Sequence, residues 1–154
     1  MPEFSHITNG KASMVDVSAK PEQVREARAK GTIILHRETI TAIQEGTVLK
    51  GNVLATARIA AILAVKDTSR LIPMCHSIPI YHISVDFEVE EDHIITSVLV
   101  RSSGKTGVEM EALVGVNIAL LTIWDMVKSA EKDADGQYPN TQITEVRVTS
   151  KMKM

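Results

Sequence analysis

The sequence predicts an α+β fold of the ferredoxin-like kind, in which helices cover one face of an antiparallel sheet. Two observations support this fold. Residues 78–103 and 141–150 alternate apolar and polar side chains as strands do, and residues 108–132 have the length and composition of a mostly buried helix. The elements then follow the order strand, two helices, two strands, helix and strand, provided that residues 21–35 form the first strand.

The start of the chain contains one extended segment and one ambiguous segment. Residues 13–20, SMVDVSAK, are predicted to be extended because Val15 and Val17 alternate with Asp16. In the next segment, Pro21 near the start and Gly31 at the end are typical of a helix. The residues that follow, GTIILH, are instead typical of a strand. The pattern alone leaves both structures open.

Two helices are predicted next. RETITAIQEG, residues 37–46, is short and amphipathic, and it should end at Gly46. NVLATARIAAILAVK, residues 52–66, begins with Asn52 as its N-cap and carries Arg58 as its only interior charge. Its many small side chains suit close packing against another helix or a sheet.

The second half of the chain alternates before and after a long helix. Residues 78–103 are predicted to be two strands that turn around Glu91 and Asp92. The long helix follows, and the turn residues DADGQYPN separate it from a closing strand, TQITEVRVTS. Thr106 and Glu109 have the spacing of a capping box at the start of the long helix.

Composition limits the class of protein. The 154 residues suit one domain, residues 1–154, and 44% of them are apolar. A net charge of −2 and an aromatic content of 3% argue against nucleic-acid binding. We find no signal peptide and expect no apolar stretch long enough to cross a membrane. The single cysteine excludes an internal disulfide and favours the cytoplasm.

The stretch GKTG, residues 104–107, lies between a strand and a helix, as a nucleotide-binding P-loop does. The P-loop pattern requires a glycine five residues before Gly104, and Leu99 occupies that position. The spacing therefore disfavours a GTP-hydrolysing enzyme. Free amides at the helix start, beside Lys105, would still suit an anion.

A carboxylate and an amine interrupt the apolar part of the long helix. Asp125 and Lys128 are three residues apart and share a face, with Trp124 and Met126 flanking Asp125. They are either a surface ion pair or, in a poorly hydrated place, a pair for proton transfer. Glu111 precedes Asp125 by 14 positions, or roughly 21 Å along a helix. If both serve one site, two subunits should contribute opposite ends of this helix.

The only cysteine stands beside a histidine in LIPMCHSIPI, residues 71–80. In an extended chain, Cys75 and His76 point to opposite faces, which disfavours a nucleophile and its base. A zinc site would need further ligands at suitable spacing, so no metal site is predicted. The remaining alternatives are a buried cysteine with a partly exposed histidine, or the mouth of a strand that receives a ligand. Pro73 and Pro79 favour the second alternative.

Four stretches together resemble one family: SHITNGKASMVDVSAK, KGNVLATARIA, LIPMCHSIPI and GKTGVEMEALVGVNIALLTIWDMVKSAEKD. They closely resemble the MoaC family, the cyclic pyranopterin monophosphate synthases of molybdenum cofactor biosynthesis. The resemblance implies a lyase that rearranges a cyclised GTP derivative, 3′,8-cyclo-7,8-dihydro-GTP, with loss of pyrophosphate. It also implies a ferredoxin-like fold, a hexamer built from dimers with active sites at dimer interfaces, and a strand for residues 24–35.

The resemblance also assigns residues to the site. The family's catalytic group matches Asp125, Lys128 and Lys50. Its substrate-binding stretches match the following set: Met74, Cys75, His76, Met110, Glu111, Arg25, Lys20 and Asp16. No cofactor is expected, although Mg²⁺ on the triphosphate would be compatible with the chemistry.

The residue types suit the implied reaction. Asp125 and Lys128 could move protons as a coupled pair, while Lys50, His76 and Lys105 could stabilise charge on the phosphate. The rival interpretation is a non-catalytic oligomeric module that binds a nucleotide or another metabolite.

Overall fold

The computed structural model describes residues 2–154. A small hairpin, β1 (Ile7–Thr8) and β2 (Lys11–Ala12), precedes the main elements. These are β3 (Gln23–Ile34), α1 (Arg37–Glu45), α2 (Val53–Lys66), α3 (Thr68–Leu71), β4 (Ile80–Val89), β5 (His93–Gly104), α4 (Glu109–Glu131) and β6 (Gln142–Lys153). The order confirms the predicted sequence of strands and helices, with α3 as an addition.

The four long strands form one antiparallel sheet in the order β4-β5-β3-β6. Helices α2 and α4 pack against each other and against one face of this sheet. The fold is therefore the α+β, ferredoxin-like arrangement that the sequence predicts. Alternate residues of β3 and β5 are buried, and they form one apolar cluster with α2 and α4.

The ambiguous segment is strand β3, so the Pro21 and Gly31 signals do not mark a helix. Gly31 instead lies in the middle of β3, where a Cβ atom would come within 2.7 Å of Val116 Cγ1 and 2.8 Å of Leu120 Cδ1. The missing side chain lets α4 lie close to the sheet. Packing between distant segments, rather than local propensity, accounts for this glycine.

Most local predictions are confirmed. Gly46 ends α1 in a left-handed conformation with φ of 72°, and the Asn52 side chain accepts a hydrogen bond from the Ala55 amide at 3.0 Å. The turn between β4 and β5 lies at residues 90–92. Residues 13–17 show the predicted alternation in burial, but they join no sheet.

Two predictions about α4 are wrong. The capping box does not form, because the helix begins at Glu109 with Val108 as its N-cap and no side chain caps it. The Glu109 carboxylate instead pairs with Lys151 of β6 at 2.9 Å. In length and composition α4 could also cross a membrane, contrary to the expectation that no apolar stretch would reach that length. Half of its most apolar window is buried within this protein, as in the core helix of a globular domain.

Candidate active site

Five of the predicted binding residues line one cleft of about 530 Å³. It lies between the N-terminal segment, the irregular stretch that follows α3, and the start of α4. The predicted residues in its lining are Lys20, Met74, Cys75, His76 and Met110. A space of this size is within the range of pockets that hold small ligands.

The stretch that carries Cys75 and His76 has no regular secondary structure until β4 begins at Ile80. Pro73 lies at its start and Pro79 directly before the strand, which matches the expected irregular entry to a strand. The two side chains have different neighbours. The Cys75 thiol donates to Glu111 Oε2 at 3.6 Å, whereas His76 Nε2 lies 2.6 Å from the Val15 carbonyl oxygen. They do not form a nucleophile–base pair.

The Cys75 thiol is protonated at neutral pH. Burial, followed by the negative charge of Glu111 and the hydrogen bond to it, raises the thiol pKa to about 11. A nucleophilic cysteine requires a pKa lowered by neighbouring positive charge, and this cysteine has the opposite environment. Cys75 can therefore contact a ligand as a thiol but is poorly suited to attack one.

Glu111 lies beneath the cleft, with only 3% of the residue exposed. Burial raises the pKa of its carboxyl group. Its Oε1 atom has no hydrogen-bond partner among residues 2–154, which is unusual for a buried carboxylate oxygen. Glu111 thus supports Cys75 from below, and the cleft lining does not include it.

The hydrogen bond to Val15 determines the protonation of the His76 ring. A backbone carbonyl oxygen can only accept, so Nε2 carries a proton. Nδ1 is then the ring atom that can accept a proton or a hydrogen bond from a ligand in the neutral form.

Three predicted or suggested residues hold the cleft walls. Asp16 accepts from the amide and the hydroxyl of Ser18, and these bonds lower the pKa of its carboxyl group. Lys105 donates to the Ser18 carbonyl at 2.9 Å. The buried Arg25 donates its Nε to the Gly104 carbonyl at 3.1 Å. In this structure their polar atoms organise the segments around the cleft.

The predicted catalytic residues form a second group at the other end of α4. Lys128 Nζ lies 2.9 Å from Asp125 Oδ1. Lys50, from the loop between α1 and α2, lies 3.4 Å from Asp125 Oδ2 and donates to the Asp125 carbonyl at 2.8 Å. The hydrogen bonds from Lys128 and then Lys50 hold the pKa of the Asp125 carboxyl group below its usual value. Asp125 in turn raises the pKa of Lys128.

Of the two alternatives for this pair, the single chain shows the exposed ion pair. The side chains of Asp125 and Lys128 are 61% and 44% exposed, and hydrogen bonds and charge, rather than desolvation, dominate their pKa shifts. The apolar residues Trp124 and Met126 do not enclose them. Asp125 lies on the outer side of α4, so only another molecule could remove it from water.

Glu111, beneath the cleft, and Asp125, in the second group, both lie on α4, and their separation of 14 residues is retained within one continuous helix. At a rise of about 1.5 Å per residue, Glu111 and Asp125 are roughly 21 Å apart along the axis. One chain therefore does not bring the cleft and the Asp125 group to the same atoms of a small ligand.

Several residues at the cleft were not predicted from the sequence. His6, Val17 and Thr106 line it, and Glu109 and its partner Lys151 lie beside Arg25. Nor was Glu131, whose carboxylate is fully buried at the end of α4. A carboxylate at the end of an apolar helix is usually exposed, and no local pattern distinguishes a buried one.

Comparisons with known proteins place this architecture in one family. The model of the MoaC family matches residues 14–153. The chain is 63% identical to a protein of Methanoregula boonei and 64% identical to one of Methanosphaerula palustris, in each case over 99% of both chains. Both relatives are named "Probable cyclic pyranopterin monophosphate synthase". A protein of Methanothermobacter thermautotrophicus, 54% identical over the whole of this chain and 97% of its own length, carries the same name followed by "accessory protein". The chain belongs to the MoaC family.

Proposed function

We propose that this chain is the lyase that converts the cyclised GTP derivative into cyclic pyranopterin monophosphate and pyrophosphate in molybdenum cofactor biosynthesis. The observation that carries this function is the MoaC match over residues 14–153, together with relatives above 60% identity along the full chain.

The geometry supports separate roles for the two groups. The cleft offers a neutral thiol, an imidazole with one ring nitrogen free, and two methionines, which suit contact with a flat heterocycle and its substituents. At the other end of α4, Asp125 is ionised at neutral pH and can accept a proton. Lys128 and Lys50 are positively charged and can stabilise negative charge on the phosphates during loss of pyrophosphate.

A complete site is proposed to form between two copies of the chain, within a hexamer built from three dimers. The distance between the two groups supports a shared site, because neither group by itself contains both the cleft residues and the acid–base residues. Exposed apolar side chains on α2 and α4 also favour an interface: Ile59, Leu63 and Leu121 are each more than half exposed. A second copy that covers Asp125 would supply the desolvation that the single chain lacks.

The reaction is proposed to require no resident cofactor and to take place in the cytoplasm. Rearrangement of the ring and displacement of pyrophosphate need proton transfer and charge stabilisation, with no net redox change. Residues 2–154 contain no cluster of three histidine, cysteine or acidic side chains suited to a metal. A magnesium ion on the triphosphate would be compatible with this chemistry, because Mg²⁺ is commonly held by substrate phosphates.

The test is turnover by the purified protein. With the cyclised GTP derivative, we expect release of pyrophosphate and formation of the pterin product. Asp125→Asn should lower the rate by about 100-fold or more, in line with loss of a general acid–base group. The matched control is Asp86→Asn. Asp86 is also an exposed aspartate, but it lies on β4, and this variant should keep full activity.

The relative named as an accessory protein makes a non-catalytic role the second candidate. Binding of the cyclised GTP derivative without pyrophosphate release would favour that role. Steady phosphate release from plain GTP would instead favour a GTP-hydrolysing enzyme, which the absence of a glycine at position 99 disfavours.

A shared site can be tested by mixing two inactive variants. His76→Ala damages the cleft and Asp125→Asn damages the other group. If each site uses both groups from different copies, oligomers formed from both variants should regain part of the activity. No recovery in oligomers shown to contain both variants would contradict the shared site.

A further inference from the structure

Glu131 is a buried carboxylate that the proposed mechanism does not use. It is the last residue of α4, and none of its surface is exposed. Oε2 accepts hydrogen bonds from the His36 amide at 3.1 Å and from the Thr39 hydroxyl at 2.5 Å, and Oε1 accepts from the Thr141 hydroxyl at 2.6 Å. Both oxygens are therefore bonded, to the start of α1 and to the segment that enters β6.

The space around Glu131 shows why these bonds matter. Helix α1 makes few direct contacts with α4, and a cavity of about 500 Å³ lies between α4 and the segment formed by α1 and the loop after it. Its walls are Thr39 and Ala42 of α1, residues 47–50 of the loop, and Met126, Val127, Ser129 and Ala130 of α4. Ile40 of α1 is buried in the apolar core, but the cavity leaves the packing between α1 and α4 incomplete, so polar bonds add to what holds them together.

Polar bonds bridge the gap at its two ends. Glu131 binds the start of α1 at one end, and Lys50 binds Asp125 at the other. Lys50 lies in a loop bounded by Gly46 and Gly51, both with positive φ, and its side chain is about half exposed. This loop follows α1 directly, so the position of Lys50 depends on the placement of α1.

We infer that Glu131 is a positioning residue: by fastening α1 to the end of α4, it holds Lys50 against Asp125. The catalytic consequence rests on the proposed function. The structural consequence, contact between Lys50 and Asp125, can be measured without substrate.

The test compares three variants. Thr39→Val removes one donor to the carboxylate and keeps its charge. Thr39→Ser restores the hydroxyl and serves as the conservative rescue. Glu131→Met removes the carboxylate at similar length. Val85→Ala, a truncation in the core between β4 and α2, is the control for general loss of stability because it lies outside both groups.

The first readout is the acetylation rate of Lys50 by acetic anhydride, measured by mass spectrometry relative to the exposed Lys66. An amine bonded to a carboxylate and a carbonyl reacts slowly. We expect a severalfold increase for Lys50 in Thr39→Val and Glu131→Met. Thr39→Ser and Val85→Ala should react at the wild-type rate.

The second readout is turnover of the cyclised GTP derivative. Misplacement of a catalytic group by about 1 Å can reduce a rate by about 100-fold, so kcat should fall about tenfold or more in Thr39→Val. KM should change less, because the cleft residues are at the other end of α4. Thr39→Ser should restore kcat.

The two readouts separate the inference from the function on which it rests. If the wild type fails to turn over the substrate, the proposed function fails, and Lys50 acetylation still decides whether Glu131 positions it. Should Thr39→Val and Glu131→Met lower only the melting temperature, as Val85→Ala does, with unchanged Lys50 reactivity, Glu131 is a structural residue and the inference is overturned. If Glu131→Met does not fold, Thr39→Val alone decides.

Discussion

Replacement of Gly31 by alanine tests how closely α4 lies on the sheet. The added Cβ would be 2.7 Å from Val116 Cγ1, 2.8 Å from Leu120 Cδ1 and 3.0 Å from Val146 Cγ2. Ordinary van der Waals contact lies at 3.4–4 Å. The new methyl group therefore overlaps α4 and β6 at once, and no single side chain can move to relieve both contacts.

The size of the effect follows from two opposing contributions. Overpacking a core by one methyl group costs about 1–3 kcal/mol. Loss of backbone freedom in the unfolded chain offsets this by about 0.4–1 kcal/mol. We expect Gly31→Ala to lower the free energy of unfolding by about 1–2 kcal/mol. For a chain of this length, the melting temperature should fall by about 2–8 °C.

Thermal and urea unfolding at one fixed protein concentration would measure the change. Gly104→Ala on β5 is the matched control, because its nearest contact is Ile78 Cγ2 at 3.3 Å and its effect should be smaller. Val116→Ala introduced with Gly31→Ala should recover part of the loss, so that the double variant is more stable than the sum of the single effects predicts. Strictly additive effects, or an unchanged melting temperature in Gly31→Ala, would refute the close approach of α4 to β3.

Three further predictions concern the site and its supports. Alkylation of Cys75 by iodoacetamide should be slow at neutral pH and should rise with an apparent pKa near 11, whereas a midpoint below pH 9 would show that the thiol is not shielded. Glu111→Gln should stabilise the protein at pH 8 and have less effect at pH 4. Burial raises the pKa of Glu111, so the folded protein favours the neutral carboxyl group. The ionised carboxylate, which forms as pH rises through that pKa, opposes folding, and Gln removes this ionisation. Equal effects at both pH values would contradict this reasoning. Asn52→Ala should lower stability by about 0.5–2 kcal/mol through loss of the α2 cap, measured by urea unfolding, and no change would mean that the cap is not formed in solution.

The fold was predictable because its signals are local. Gly46 at the end of α1 and Asn52 at the start of α2 are positions where one residue type satisfies the backbone, so the sequence marks them directly. The alternation in β4 and β5 likewise follows from one buried and one open face. The segment of β3 was ambiguous because its residues favour a helix, and only pairing with β5 and β6 makes it a strand.

The candidate site was predictable in composition but not in environment. The residues matching the family include a cleft group and an Asp125 group, and their spacing along α4 could be derived by counting. The exposure of Asp125 could not be derived, because the same pattern of apolar and charged residues fits a helix with either of its faces covered. The failed capping box has a similar cause: Glu109 has a stronger partner in Lys151, which is 42 residues away in the sequence.

The sequence by itself determined the element types other than that of β3, the family and the set of chemical groups, since these depend on neighbouring residues and on residue identity. The tertiary structure alone decided which groups meet: Cys75 with Glu111, His76 with Val15, and Glu131 with the start of α1. The physical reason is that burial and hydrogen bonding between distant segments depend on how the helices lie on the sheet. A local sequence pattern contains no information on the distance between the helices and the sheet.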